Sequence, residues 1–192
     1  MKSQMPRRSF LKNNVLLAGG VLTSPGNLFA TKAKRKFKMC LNAGSIGAKF
    51  DQLALVEMAV KHGFDSVVSL PQEITTLKPA QHLALRSNMR DDGISWGSGG
   101  LVVDFRKDAA TFRDGLKTLP RHAAALESVG ATRMNTWIMP SNPNHTYREN
   151  FELHRRRLKT VAKIIGHHGI SLGLEYVGPK TLLTSNKFAF IR

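Results

Sequence analysis

A single acidic residue, Glu175, follows a short apolar run at residues 170–174 and precedes the chain breaker Gly178-Pro179. The run begins directly after Gly169, and glycine is the residue that most often ends a helix. This pattern predicts a helix, then a buried parallel strand, then a carboxylate at the carboxyl end of that strand. Proteins built on parallel strands place their catalytic groups at this edge of the sheet. Glu175 is therefore a candidate catalytic residue, with an ordinary solvated strand end as the alternative.

Three further side chains lie near the ends of predicted strands. Trp137 and His145 flank the loop after the fourth strand, and Lys180 lies in the loop after the fifth. A tryptophan face can stack on a sugar ring, an imidazole can hydrogen-bond a hydroxyl, and an ammonium group can bind a phosphate or a carboxylate. These residues are candidate substrate contacts. The alternatives are a core position for Trp137 and a solvated turn position for His145.

The elements that must position these side chains repeat along the chain. Four predicted helices each end at a glycine, and an apolar strand follows within a residue or two: Gly63, Gly93, Gly130 and Gly169, which are 30, 37 and 39 residues apart. This spacing is typical of strand–helix units. The predicted strands are 37–41, 64–70, 94–96, 131–139 and 170–174, and the predicted helices are 50–62, 79–90, 108–129 and 146–167, with a kink or restart at Pro120. Parallel strands of this kind form an open doubly wound sheet or a closed barrel.

The net charge of +16 on 192 residues suggests a nucleic-acid partner, but its distribution argues against one. Nine of the 29 Lys and Arg residues lie in residues 1–38, which contain no acidic residue, so 20 basic and 13 acidic residues remain in 39–192. The run Arg155-Arg156-Arg157 is predicted to be the solvated face of a helix. No nucleic-acid partner is predicted.

The basic first segment has the pattern of an export signal. Arg7-Arg8 precede Ser-Phe-Leu-Lys, as in twin-arginine signals, and the apolar stretch at 15–22 is too short to span a bilayer. Leu28-Phe29-Ala30 is a possible cleavage site. We therefore predict a signal peptide at 1–30, a basic linker at 31–36 and the folded domain at 37–192, in a protein that the twin-arginine machinery exports to the periplasm or beyond. The single cysteine, Cys40, excludes an internal disulfide and is predicted to be a buried structural thiol.

With these units in place, the chain resembles the sugar phosphate isomerase/epimerase family of xylose isomerase-like barrels. The resemblance covers residues 37–190 and depends on three features: the glycine-ended helices, Gly97-Ser-Gly-Gly100 after the third strand, and Gly173-Leu-Glu-Tyr-Val-Gly-Pro-Lys180. It implies a (β/α)8 barrel. Such barrels need about 250 residues, so five strands and four helices make a partial barrel. The chain is expected to be a fragment or a truncated product.

The resemblance also implies a chemistry. Family members hold one divalent cation, often Mn, Mg, Co or Zn, on Glu, Asp, His and Glu residues from strands five to eight, and they move a proton beside the carbonyl of a sugar. Glu175 matches the first ligand and acid/base, and the other three ligands would lie beyond Arg192. The expected function is a sugar or sugar phosphate isomerase or epimerase, which could be oligomeric. The alternatives are an inactive fragment, a sugar-binding relative or, less well supported, an apurinic endonuclease-like enzyme.

Overall fold

The computed structural model describes residues 35–177 of the chain. The predicted export signal with Arg7 and Arg8 lies outside the described residues, as does Lys180. Among the helices that are described, none is long and apolar enough to cross a lipid bilayer.

Strands and helices alternate along the described chain, as the glycine spacing predicts. The strands are β1 (Cys40–Leu41), β2 (Ser66–Val67), β3 (Ser95–Trp96), β4 (Gly99–Gly100), β5 (Arg133–Ile138) and β6 (Ser171–Tyr176). The helices are α1 (Gln52–Lys61), α2 (Pro71–Ile74), α3 (Pro79–Asp91), α4 (Ala109–Ser128) and α5 (Tyr147–Gly166), with a 3₁₀ turn at Ala43–Ile46. The strands pair in parallel throughout, so the fold is α/β.

A strand forms at each of the five predicted positions. At the third position there are two short strands, β3 and β4. β3 completes a sheet of order β1-β2-β3, and β4 begins a second sheet of order β4-β5-β6. The two pieces lie on one continuous segment, where Gly97 N donates to Val67 O at 2.7 Å and Leu101 N donates to Asn135 O at 2.8 Å. This segment is thus hydrogen-bonded to β2 at its start and to β5 at its end. The predicted fourth and fifth strands correspond to β5 and β6.

The helix ends follow the sequence signals closely. The four glycines predicted to end helices have positive φ angles of 68° to 79°, the left-handed conformation that glycine adopts without steric cost. At the start of α4 the Asp108 side chain accepts hydrogen bonds from the first turn, and Thr146 and Glu149 form a capping box at the start of α5. α4 continues through Pro120 without restarting.

The main core lies between the helices and one face of the strands. Its largest fully buried side chains include Phe105, Leu119, Leu126, Met134 and Ile165. Met134 lies on β5, where it alternates with residues of the opposite face. That opposite face of β5 and β6 is turned away from the helices.

β6 is far more exposed than the buried strand that its apolar run predicts. Ile170 is 3% exposed, but Leu174 and Tyr176 are each 54% exposed. The prediction is wrong for most of the strand because, within the described chain, β6 pairs on only one edge, with β5. Leu174 and Tyr176 line an apolar groove beside α5 together with Tyr147 and Phe151.

Cys40 is exposed, so the prediction of a buried structural thiol is wrong. Its neighbour Leu41 is 9% exposed and packs into the core. Because consecutive strand residues point to opposite faces, Cys40 must lie on the face away from the helices. A Cβ added at Gly97 would approach the Cys40 sulfur to 2.5 Å. The glycine therefore makes room for the thiol.

Gly99 is a second point of close approach, and it yields a stability prediction. A Cβ at Gly99 would collide with Ser69 Oγ and lie 3.0 Å from the Ser69 carbonyl oxygen, whereas a Cβ at Gly100 meets no atom within 4 Å. We expect Gly99→Ala to lower the free energy of unfolding by about 1–3 kcal/mol, because backbone must move to admit the methyl group. Urea denaturation measures this, with Gly100→Ala as the matched control. Equal costs for the two variants would contradict the close packing.

Candidate functional site

Glu175 and Trp137 lie side by side on the face of the second sheet that is turned away from the helices. The register of β5 and β6 pairs Trp137 with Glu175 and Met134 with Leu172. Met134 belongs to the core and Leu172 packs against it. Since side chains alternate along a strand, Trp137 and Glu175 point to the other face. Both lie one residue before the carboxyl end of their strand.

Glu175 is exposed, and its carboxylate forms no hydrogen bond or salt bridge with any other described residue. It is the penultimate residue of β6, since the strand continues to Tyr176 instead of ending at residue 174. The strand backbone therefore fixes the position of Glu175, and its side chain is accessible to solvent.

Trp137 is 40% exposed, so the core alternative for this residue is excluded. The guanidinium carbon of Arg106 lies 3.9 Å from the centroid of the Trp137 ring, a cation–π contact. Arg106 Nη1 also donates to the Trp137 carbonyl oxygen at 2.8 Å, and its Nε donates to Asp104 Oδ1 at 3.3 Å. Arg106 comes from the segment after β4, on the side of β5 away from β6. It thus approaches Trp137 from the side opposite Glu175.

The segment that carries Arg106 is held in place by α5. Arg157 Nη1 donates to the Phe105 carbonyl oxygen at 2.8 Å and also to the carbonyl oxygen of Lys107. The Phe105 ring is fully buried and makes an edge contact with the His154 ring, with 5.0 Å between centroids. Arg106 is therefore fixed by contacts on both of its neighbours. Sequence reasoning missed Arg106; the only signal was the run Asp104-Phe-Arg-Lys-Asp108 between a strand and a helix cap.

The fold was compared with those of known proteins. No protein-family model and no curated protein matches the chain. Among solved structures, a xylose isomerase domain protein from Alicyclobacillus acidocaldarius is 22% identical with a TM-score of 0.59, over 76% of this chain and 52% of that one. The IOLI protein with a bound zinc atom is 15% identical with a TM-score of 0.61, over 73% and 52%. A D-psicose 3-epimerase studied with D-fructose is 17% identical with a TM-score of 0.55, over 71% and 51%.

The chain has a xylose isomerase-like TIM-barrel fold. It spans about half the length of the solved structures that it matches, and the partial barrel that the sequence predicts is confirmed. In this barrel the face of β5 and β6 away from the helices is the interior. Active sites of TIM barrels lie at the carboxyl ends of the strands. Glu175 and Trp137 thus lie on the interior face, near the carboxyl ends of their strands.

The other predicted contact residues lie elsewhere. His145 is exposed in the turn after β5, where its backbone pairs with Asn142. It lines a cleft on the outer rim of the barrel with Arg106, and Trp137 is not part of that cleft. Lys180 lies outside the described residues. The structure brings Trp137 and Glu175 together and places His145 in a cleft that neither of them lines.

The described residues do not form a metal site. Between residues 35 and 177, no group of three His, Cys, Asp or Glu side chains is close enough to hold an ion. Glu175 alone offers one carboxylate, which is too little to hold Mn²⁺, Mg²⁺, Co²⁺ or Zn²⁺. The predicted divalent cation therefore depends on ligands outside the described part of the chain.

His154, under the Arg106 segment, predicts a pH dependence of stability. Burial lowers the pKa of His154, and the positive charges of Arg106, Arg157 and His145 lower it further. In the unfolded chain the pKa of His154 is higher, near 6.5. Neutral His154 therefore makes its full contribution to stability above that pH. This contribution falls as the pH drops below about 6.5, because the unfolded state takes up the proton more readily.

We expect the melting temperature to fall between pH 7.5 and 5.5, and His154→Gln to make this fall shallower. Thermal unfolding followed by circular dichroism measures both. The exposed His62, changed to Gln, is the control. An unchanged pH dependence in His154→Gln would contradict the assignment.

Proposed function

We propose that the protein is a sugar isomerase or epimerase that moves a proton on the carbon beside a carbonyl group. The observation that carries this proposal is the pairing of Glu175 with Trp137 on the barrel interior, at the carboxyl ends of adjacent parallel strands. A free carboxylate beside an exposed aromatic ring is suited to a sugar, because the ring can stack on the sugar while the carboxylate reaches a C–H or O–H group. Solved proteins of the same fold include a D-psicose 3-epimerase.

In the proposed reaction Glu175 is the base. Its carboxylate takes the proton from the hydroxyl-bearing carbon next to the carbonyl. The electron pair of the broken C–H bond forms a C=C bond, and the π pair of the carbonyl moves to its oxygen, giving an enediolate. Return of the proton to the former carbonyl carbon, with transfer of the hydroxyl proton to the enediolate oxygen, completes an isomerisation. Inversion at the original carbon requires a second acid on the opposite face of the sugar. Glu175 alone does not supply that acid.

Arg106 and Trp137 have supporting roles in this proposal. The indole face on the β6 side of Trp137 is the platform for the sugar, since Arg106 covers the other face. Arg106, held by Asp104 and the Trp137 carbonyl, fixes the position of the indole ring from behind. Arg157 acts as a positioning residue because it binds the backbone on both sides of Arg106.

We also propose that the protein uses a divalent cation, with Glu175 as one ligand and the others from outside residues 35–177. The donor set that is present does not hold such an ion, so we assign no step to it. Treating the full-length protein with a chelator and then restoring Mn²⁺ tests this. Activity that survives the chelator would overturn the proposal of a cation, while the role of Glu175 would stand.

The test of the function itself is product formation by the full-length protein with a panel of ketoses and ketose phosphates, followed by chromatography. New isomers or epimers of at least one compound are expected. A protein that binds a sugar in titration calorimetry yet forms no product would instead be a sugar-binding relative.

We further propose that the protein is exported by the twin-arginine machinery through Arg7 and Arg8. Amino-terminal sequencing of exported protein should begin near Thr31. Exported protein that retains residues 1–30 would contradict cleavage at Ala30.

A further inference from the structure

A cleft on the outer rim of the barrel lies between the segment after β4 and the first half of α5. It has a volume of about 890 Å³. Its basic side chains share one position, the rim around the start of α5: Arg106, Lys107, His145, Arg148, Arg156 and Arg157. Nothing in the proposed reaction uses this cleft as a whole.

The acidic residues of the cleft are engaged by their own neighbours. Asp108 accepts hydrogen bonds from Ala110 N at 2.8 Å and from Thr111 Oγ1 at 2.6 Å, which lower its pKa to about 2. Glu149 accepts from Thr146 at 2.8 Å as part of the capping box. These carboxylates are tied to helix starts. They keep their negative charge, but their hydrogen bonds go to the helix starts and not to the basic residues across the cleft.

A third acidic residue, Glu152, pairs with Arg155 at 2.8 Å. Arg155 belongs to the apolar groove on the other side of α5 and not to the cleft. The hydrogen bonds of Glu152 thus go to a residue outside the cleft, although the charges of Arg156 and Arg148 also contribute to its lowered pKa.

Two of the basic residues in the cleft have side chains without a hydrogen-bond or salt-bridge partner among the described residues. The guanidinium groups of Arg148 and Arg156 are exposed and form no hydrogen bond or salt bridge with described residues. Lys107 has only a distant contact, 4.0 Å from Asp104. By contrast Arg157 is fixed on two backbone carbonyls, which gives the wall of the cleft a defined shape. The cleft thus combines a fixed wall with unpaired guanidinium groups.

Two titratable groups beside the cleft have lowered pKa values. Burial is the main cause of the lowered pKa of Arg157; the charges of Asp108 and Asp104 oppose it, and the charge of Arg156 adds to it. Burial also lowers the pKa of His154, with a contribution in the same direction from His145.

We propose that this cleft binds a small molecule through a phosphate or carboxylate group, with Arg148 and Arg156 as the principal ligands. Guanidinium groups bind such oxyanions through paired N–H donors. Residues 148 and 156 are about 12 Å apart along the helix axis, so the ligand is larger than a lone phosphate ion. A sugar phosphate has suitable dimensions. Arg106 lines the cleft and also stacks on Trp137, so the bound anion lies next to the candidate active site.

The test is titration calorimetry on the full-length protein with fructose 6-phosphate, fructose and inorganic phosphate as separate probes. We expect saturable binding of fructose 6-phosphate, and at least tenfold weaker binding of inorganic phosphate and of fructose. The double variant Arg148→Gln, Arg156→Gln should weaken binding of fructose 6-phosphate at least tenfold. The matched control Lys159→Gln, Lys163→Gln removes the same charge from the same helix and should change binding less than twofold.

Several outcomes would overturn the proposal. If the two double variants weaken the binding of fructose 6-phosphate equally, the ligand is attracted by the overall charge of the protein and not by this cleft. Unchanged binding in Arg148→Gln, Arg156→Gln would place the anion elsewhere, and no saturable binding to the unaltered protein would remove the site. A short single-stranded oligonucleotide that binds more tightly than fructose 6-phosphate through the same two arginines would assign the cleft to a polymer. Because Arg148 and Arg156 are not part of the Glu175–Trp137 pair, these outcomes are independent of the test of Glu175.

Discussion

Replacing Glu175 by Gln in the full-length protein is expected to lower kcat by about 10²–10⁴-fold, the range that loss of a general acid or base produces. Glutamine keeps the size of the side chain and its capacity to hydrogen-bond, but it cannot take up a proton. The KM for the sugar should change much less than kcat, because Trp137 still supplies the stacking surface. Steady-state kinetics on the sugar that gives product measures both quantities.

The control for this variant is Glu57→Gln, which removes a carboxylate from an exposed position on α1. It should leave kcat within twofold of the unaltered protein. A fall in kcat common to both variants would indicate a general effect of charge. Full activity in Glu175→Gln would refute the assignment of Glu175 as the base.

Replacing Phe105 by Ala is expected to lower the free energy of unfolding by about 3–5 kcal/mol, the cost of removing a fully buried aromatic ring. The ring contacts His154 and lies 4.9 Å from the guanidinium carbon of Arg106, so its loss leaves a cavity beneath the segment that carries Arg106. Urea denaturation measures the change in stability. A matched change at Phe37, which is 67% exposed, should cost less than about 1 kcal/mol.

The same variant links the core to the site. Because Phe105 supports Arg106, folded Phe105→Ala protein should also bind the sugar more weakly at temperatures well below its melting point. Equal stability costs at Phe105 and Phe37 would contradict the packing described here. Unchanged sugar binding in folded Phe105→Ala protein would show that the position of Arg106 does not depend on this ring.

The sequence was sufficient for the order of the elements. Glycines with positive φ angles follow four of the five described helices, and the apolar runs after these glycines marked the strands. The placement of Glu175 and Trp137 on neighbouring strands followed from this order alone. That the two side chains lie on the same face depends on the register between the two strands. The pattern of residues within one strand does not specify this register.

The parts that sequence reasoning missed depend on contacts between distant residues. Arg106 is placed over Trp137 by hydrogen bonds from Arg157, about fifty positions later in the chain. The segment of β3 and β4 passes close to distant residues, with Gly97 against Cys40 and Gly99 against Ser69. The exposure of β6 depends on which strands are beside it. An apolar run specifies a strand, but it does not specify its neighbours.

The central claim is that the carboxylate of Glu175 moves a proton on the carbon beside a sugar carbonyl. The most direct measurement is solvent exchange in D₂O, followed by proton NMR of the ketose or ketose phosphate incubated with the full-length protein. The account predicts that deuterium enters at the carbon next to the carbonyl with the unaltered protein, and that the rate falls at least 10²-fold in Glu175→Gln. Product that forms without deuterium entering, or deuterium that enters equally fast in Glu175→Gln, would contradict it.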